Sequence, residues 1–159
     1  MPLRSDWSSA VCPIARGLDV LGDPWTLLVL RELMLGNRRY DGLRGILGSS
    51  DNVLSDRLSR LVDAGLVVRE PYSDGVRPRY EYHLTESGAQ TLPVLNALAK
   101  WGEANTESPT GNEMRVYCAR CGTQSALADW CTHCEASLEV ESTEWERPVA
   151  PGVLIELAR

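Results

Sequence analysis

The chain has 159 residues, 43% hydrophobic and 24% charged, with a formal net charge of −6. That is enough apolar material for one ordinary domain with a small appendage. No run approaches the roughly 20 apolar residues of a membrane span, since the stretch around Trp25 to Leu35 is broken by Arg31 and Glu32, and the N-terminus has no leader-like pattern, so a cytoplasmic protein is expected.

Taken in chain order, Ile14, Leu18 and Leu21 fall at helical spacing in a first segment, Cys12 to Leu21, closed by Gly22. Asp23 offers a cap oxygen and Pro24 suits a first helical position, which needs no amide hydrogen. The following helix, Pro24 to Leu35, is apolar almost all round and therefore predicted to be buried. Tyr40, Leu43 and Leu47 mark a short third helix, and Gly48-Ser49-Ser50 reads as a turn. A fourth helix then runs from Ser50 or Asp51 to about Ala64. Leu54, Leu58 and Leu61 form its inner stripe. Asn52, Ser55, Asp56, Ser59 and Arg60 lie on the opposite side, with Arg57 on the flank.

Leu66 to Tyr72 and Arg79 to Leu84 read as strands joined by the hairpin-turn signal Ser73-Asp74-Gly75. Thr85 caps a last helix, Glu86 to Ala104, which Pro93 should kink or delay. Its apolar residues form two sides: Leu92, Leu95 and Ala99, then Val94, Leu98 and Trp101. Two sides need two partners, and the second is expected to be another subunit. Residues 105–114 are polar and breaker-rich, a linker; residues 115–159 read as a small cysteine module with an acidic tail containing Pro148 and Pro151.

Short helix, turn, amphipathic helix, hairpin is the layout of a winged helix-turn-helix. A helix fits the major groove, where Asn pairs with adenine and Arg with guanine or phosphate. On this reading Asn52, Ser55, Asp56, Ser59 and Arg60 face bases, while Arg38, Arg39, Arg57, Arg77 and Arg79 hold phosphates, beside a flexible Gly75. A solvated helix face on a small core is the plain alternative, and Asp51 and Asp56 count against DNA. The charge distribution helps: residues 1–104 carry 12 Lys/Arg against 13 Asp/Glu, and residues 105–159 carry 4 against 9. The acidity thus sits away from the proposed reading region, and a DNA reader needs only a local basic face.

Cys12-Pro13-Ile14, the run Leu18 to Leu28 (LDVLGDPWTLL), Leu30-Arg31-Glu32-Leu33, Leu54-Ser55-Asp56-Arg57-Leu58, Gly65-Leu66-Val67, Tyr82 to Gly88 (YHLTESG), Leu92-Pro93-Val94-Leu95 and Trp101-Gly102 together resemble the HxlR family of bacterial regulators over residues 12–103. The resemblance implies an α+β fold: a winged helix-turn-helix domain over residues 1–104 with flanking dimerisation helices. It implies a homodimer on an inverted-repeat operator in double-stranded DNA, formed by the first and last helices, with repression or activation as the output and a small-molecule or oxidant effector as a further partner. We expect a repressor and no enzymatic activity. Members often have Pro where Asp51 stands, which leaves the start of the reading helix open.

Cys118-x-x-Cys121 and Cys131-x-x-Cys134 are two knuckles separated by nine residues. Four thiolates complete a tetrahedron around one structural Zn2+, and a module with few apolar residues (Val116, Leu127, Trp130, Leu138) needs such a staple to fold. Iron or a disulfide pair remains open, and His133 reads as a neighbour of the site. The module resembles a zinc ribbon. Cys12, before Pro13 at a helix start, is a candidate redox sensor, since a helix N-terminus can lower a thiol's pKa; a buried small hydrophobe is its alternative. Two rival functions are a protein-interaction module with the ribbon as working surface and a small redox protein using the Cys-x-x-Cys pairs.

Overall fold

The computed structural model describes residues 6–73 and 76–159. Asp74 and Gly75, the tip of the expected hairpin turn, lie outside the described residues. Six helices and eight strands are seen among them: α1 (Pro13–Leu21), α2 (Pro24–Met34), α3 (Tyr40–Leu47), α4 (Asp51–Asp63), β1 (Val67–Ser73), β2 (Arg79–Leu84), α5 (Glu86–Ala89), α6 (Leu92–Asn105), β3 (Arg115–Cys118), β4 (Thr123–Gln124), β5 (Trp130–Cys131), β6 (Ala136–Ser137), β7 (Thr143–Glu146) and β8 (Leu154–Glu156). No helix among the described residues is long and apolar enough to cross a membrane.

Local chemistry explains the boundaries. Asp23 caps α2 by accepting from the amides of Trp25 and Thr26, and Ser50 caps α4 by accepting from Val53. Gly48 closes α3 in the left-handed region (φ 63°), where a residue without Cβ costs least. That turn redirects the chain from α3 into α4. α2 is central, with Val29, Leu30, Leu33 and Met34 buried; Leu54, Leu58 and Leu61 of α4 join them, as the periodicity predicts. The fully buried carboxylate of Glu32 is compensated by Arg31 (2.7 Å) and Asn37 (2.7 Å). β1 and β2 pair antiparallel from Val67↔Leu84 outward, with a bulge between Pro71 and Ser73.

The long last helix is divided. Thr85 caps α5 as expected, accepting from Gly88, but α5 ends at Ala89 and Pro93 sits in the first turn of α6. Proline needs no amide partner there, so the chain restarts a helix rather than kinking one.

The C-terminal third differs more from expectation. The segment taken as an acidic tail is folded: β7 and β8 belong to a four-stranded antiparallel sheet of order β4-β3-β7-β8, and β5-β6 form a separate hairpin. Leu127 and Trp130, expected in its core, are 45% and 42% exposed; Trp145, fully buried, fills that place with Val116, Leu138 and Val140. The buried apolar cluster runs without a break from α2 and α4 through Leu92 and Leu95 to Trp145. The Ala158 amide donates to the Met34 carbonyl at the end of α2 (2.8 Å). Residues 106–114 contain no helix or strand, yet they are fixed at both sides by Met114 N–H to Glu103 (2.9 Å) and the Asn112 amide to the Pro148 carbonyl (3.0 Å).

Candidate nucleic-acid interface and metal centre

α4 turns its apolar stripe inward and leaves Asn52, Ser55, Asp56 and Ser59 exposed, with Arg60 partly so. The polar face is therefore open to a ligand. Its carboxylates do not stand alone: Arg44 pairs with Asp51 (3.1 Å) and Arg60 with Asp56 one turn away (2.8 Å). These pairs answer the objection that acidic groups on this face would repel phosphate. The Tyr40 hydroxyl contacts Ser55 Oγ and Asp51 (3.1 and 3.2 Å), tying α3 to the start of α4.

Two of the expected phosphate holders, Arg57 and Arg38, are engaged within the chain. Arg57 does not lie free on the flank. Its Nε and Nη2 reach both carboxylate oxygens of Asp23 (2.8 and 2.7 Å), and Nη1 contacts Asp56. A planar guanidinium meeting a carboxylate this way is a fork with defined geometry. Burial opposes the charge on Asp23, but the Arg57 hydrogen bonds and charge, with the Trp25 and Thr26 amides, outweigh it and hold the carboxyl below the usual aspartate range. Arg57 is thus a clamp between α4 and the start of α2. Arg38 donates from Nη2 to the Arg159 carbonyl (2.5 Å), so the C-terminal segment covers it. Arg39 is exposed but leans on the wing through Glu81 (3.0 Å) and the Tyr72 ring (4.4 Å). Arg77 and Arg79 are exposed. Together Arg39, Tyr40, Tyr72, Arg79, Tyr80 and Tyr82 line an open cleft of about 290 Å³ between α3 and the wing. Tyr82 also packs against the buried core. His83 lies 3.6 Å from Glu81, a structural contact.

The four module cysteines converge. All four Sγ atoms lie within 4.8 Å of one another; Cys118 to Cys134 is 3.9 Å and Cys121 to Cys131 is 3.7 Å. A tetrahedron with metal–sulfur bonds of 2.3 Å has an edge of about 3.8 Å, whereas a disulfide would need about 2.05 Å. The donor set and spacing fit a four-thiolate metal site. Hydrogen bonds from the Thr123 hydroxyl and amide hold Cys121 down to about 6, while the adjacent Cys121 sulfur pushes Cys134 up to about 12. Gly122 makes the tight turn after the first knuckle (φ 68°), and His133 is exposed and outside the cluster.

Cys12 is exposed and caps α1 with its backbone, so the buried-hydrophobe alternative does not hold within one chain. Arg16, the nearest cation in sequence, donates to the Ala10 and Val11 carbonyls (2.6 and 2.7 Å). α1 buries no residue: Ile14 is 71% and Leu18 50% exposed. On α6 one apolar side is buried, and the other, Val94, Leu98 and Trp101, is 45%, 50% and 61% exposed.

A family model described as HxlR-like helix-turn-helix matches residues 20–110. The chain belongs to this family. The HTH-type transcriptional regulator Rv3095 of Mycobacterium tuberculosis is 35% identical over 145 residues, covering 91% of this chain and 90% of that one. The crystal structure of PA1607, named there as a candidate transcription factor, superimposes with a TM-score of 0.69 at 31% identity, over 84% of this chain and 93% of that one. The redox regulator HypR in its oxidized form gives 0.55 at 34% identity, over 61% of this chain and all of that one. HypR thus compares with the winged-helix part alone. The first two similarities extend into the cysteine module, so this HxlR-like protein shares its longer form with other transcription regulators. The winged helix and the ribbon-like four-cysteine module are both present, as the sequence resemblance implied.

Proposed function

We propose that this HxlR-like regulator works as a cytoplasmic homodimer on an inverted-repeat operator and represses by occupying it. The observation that carries this reading is the open polar face of α4, flanked by exposed arginines of the wing. Asn52, Ser55, Asp56, Ser59 and Arg60 would meet base edges, and Arg39, Arg77 and Arg79 would meet phosphates. Arg57 is reassigned from phosphate to the Asp23 clamp, and Arg38 is held by the C-terminal segment. The exposed apolar faces of α1 and α6 are the proposed dimer surface, which brings two copies of α4 about 34 Å apart, one turn of DNA. Cys118, Cys121, Cys131 and Cys134 would hold one Zn2+, whose contribution is to staple two knuckles that have little core of their own. Cys12, exposed beside α1, is the proposed oxidant-sensing thiol; the similarity to a redox regulator supports that role without assigning the residue.

The test is fluorescence anisotropy on upstream promoter DNA across a salt series, with and without a thiol oxidant. Arg77→Ala and Arg79→Ala should each reduce the slope of log affinity against log salt by about one. Arg60→Ala should also lower discrimination between operator and random DNA. Unchanged slopes in both wing variants would remove the wing from the interface.

A further inference from the structure

We infer that Asn96 is a positioning residue through which the metal centre holds α6, and with it the dimer surface, in place. The inference rests on the metal and dimer readings above. α6 has three working sides. Leu92, Leu95 and Ala99 face the core; Val94, Leu98 and Trp101 face outward; and Asn96 and Lys100, one turn apart, face the cysteine module.

Asn96 has no solvent exposure. Its amide accepts from the Trp145 indole (2.9 Å) and donates to the Ala128 carbonyl (2.8 Å). Lys100 Nζ donates to the Ser125 carbonyl (2.9 Å). Trp145 lies in β7, opposite Val116 in the strand that leads into Cys118. Ser125 and Ala128 both belong to the loop between Cys121 and Cys131. That loop is anchored in a different sheet at each end, by β4 on β3 and by β5 on β6. The buried Ser125 hydroxyl lies 3.0 and 2.9 Å from the Leu127 and Trp130 carbonyls; β4 and the Ser125 amide (to the Val116 carbonyl, 2.8 Å) tie the first end of the loop to β3, β5 and the Leu138 amide (to the Asp129 carbonyl, 2.8 Å) tie its second end to β6, and the sulfur cluster joins these two separate sheets. A loop anchored in two separate sheets keeps its carbonyls in register with α6 while the sulfurs hold those sheets together. Once they part, Asn96 is left with a buried amide and an unpaired donor, a state that folded chains avoid. α6 must then shift or fray, and its opposite side carries Val94, Leu98 and Trp101. The polar side formed by Asn96 and Lys100 is therefore explained by coupling to the cysteine module. Coupling of this kind is reciprocal: whatever occupancy of the cysteines does for dimerisation, dimerisation does for occupancy.

The experiment uses the full chain purified with its metal, with zinc content measured by elemental analysis. Stripping with EDTA should weaken the dimer about tenfold by sedimentation equilibrium. It should speed amide exchange across Val94 to Trp101 while leaving Leu54 to Leu61 of α4 protected. Zinc should bind about tenfold tighter at protein concentrations above the dimer constant than below it. Asn96→Leu should bind zinc, dimerise as weakly as the stripped protein, and no longer respond to EDTA. Lys100→Met, at a half-buried position, is the second variant should Asn96→Leu fail to fold, and it should show a reduced EDTA response. An unchanged dimer constant and unchanged α6 exchange on stripping a zinc-loaded protein would overturn the coupling and leave the metal reading intact. Loss of protection in α4 together with α6 would overturn it in favour of a general structural role. A chain without zinc, or monomeric at every concentration, would overturn the underlying reading and the coupling with it.

Discussion

Arg57 joins two helices through a single side chain. Seen on a helical wheel it flanks the reading face; in the fold it reaches Asp23, which also caps α2. Asp23 thus fixes the start of the buried helix and the angle of the reading helix at once. Arg57 is 17% and Asp23 34% exposed, so solvent screens the pair in part. Asp23→Asn should cost about 1–2 kcal/mol at neutral pH, between an exposed pair and a buried charged fork. The pH dependence has a definite sign. The folded carboxyl of Asp23 is lowered, so its contribution is complete above the ordinary aspartate value near 4 and disappears as pH falls through the folded value. Urea denaturation should separate wild type from Asp23→Asn at pH 7 and bring them together towards pH 2. Curves that stay apart in acid would mean that the asparagine damages the cap rather than the ion pair.

At the scale of elements, the close seams carry the specificity of the fold. Gly88 in α5 lies against the end of the loop before β1: a Cβ there would stand 2.0 Å from the Leu66 carbonyl oxygen, with backbone on the other side of the contact. Gly88→Ala should therefore destabilise by about 3 kcal/mol, the upper range for overpacking, measured as a lowered melting temperature with little change in the folded circular dichroism spectrum. The first four helices and the two wing strands were legible because each announces itself locally, by Asp23 and Ser50 at N-termini, Gly48 at a C-terminus and a leucine stripe along α4; the break between α5 and α6 was not, since one continuous helix was expected there. Pro93 signalled only a kink or a delayed start. The last two strands were not legible. β7 and β8 have four and three residues, too few for alternation to stand out, and their glutamates read as charge rather than as sheet. Glu146 is buried because Arg115, Tyr117 and the Gly152 amide receive it, partners that no local pattern displays. The metal cluster was legible from the spacing of its cysteines; the clamp of Asp23 on Arg57, 34 residues apart, was not.

For the whole molecule, the question is why a winged-helix unit leaves so much apolar surface uncovered. Folding has already buried Leu92 and Leu95 of α6 and much of α2, yet α1 contributes no buried residue. An amphipathic helix in that condition is the surface on which the proposed dimer rests. The exposed positions of α1 and α6 lie on the helices that flank the DNA-reading unit in sequence, which leaves α4 and the wing free for DNA. Leu98→Glu with Trp101→Glu places two charges on a surface that is 50% and 61% exposed at those residues, so the single chain should fold unchanged. A charge carried into a subunit contact is costly, so sedimentation should show a monomer. Because each half-site then binds on its own, operator affinity should fall roughly a hundredfold or more through loss of effective concentration, while affinity per half-site is retained. A doubly substituted protein that still sediments as a dimer would place the subunit contact elsewhere, and one that is monomeric with full operator affinity would show that a single α4 suffices for recognition.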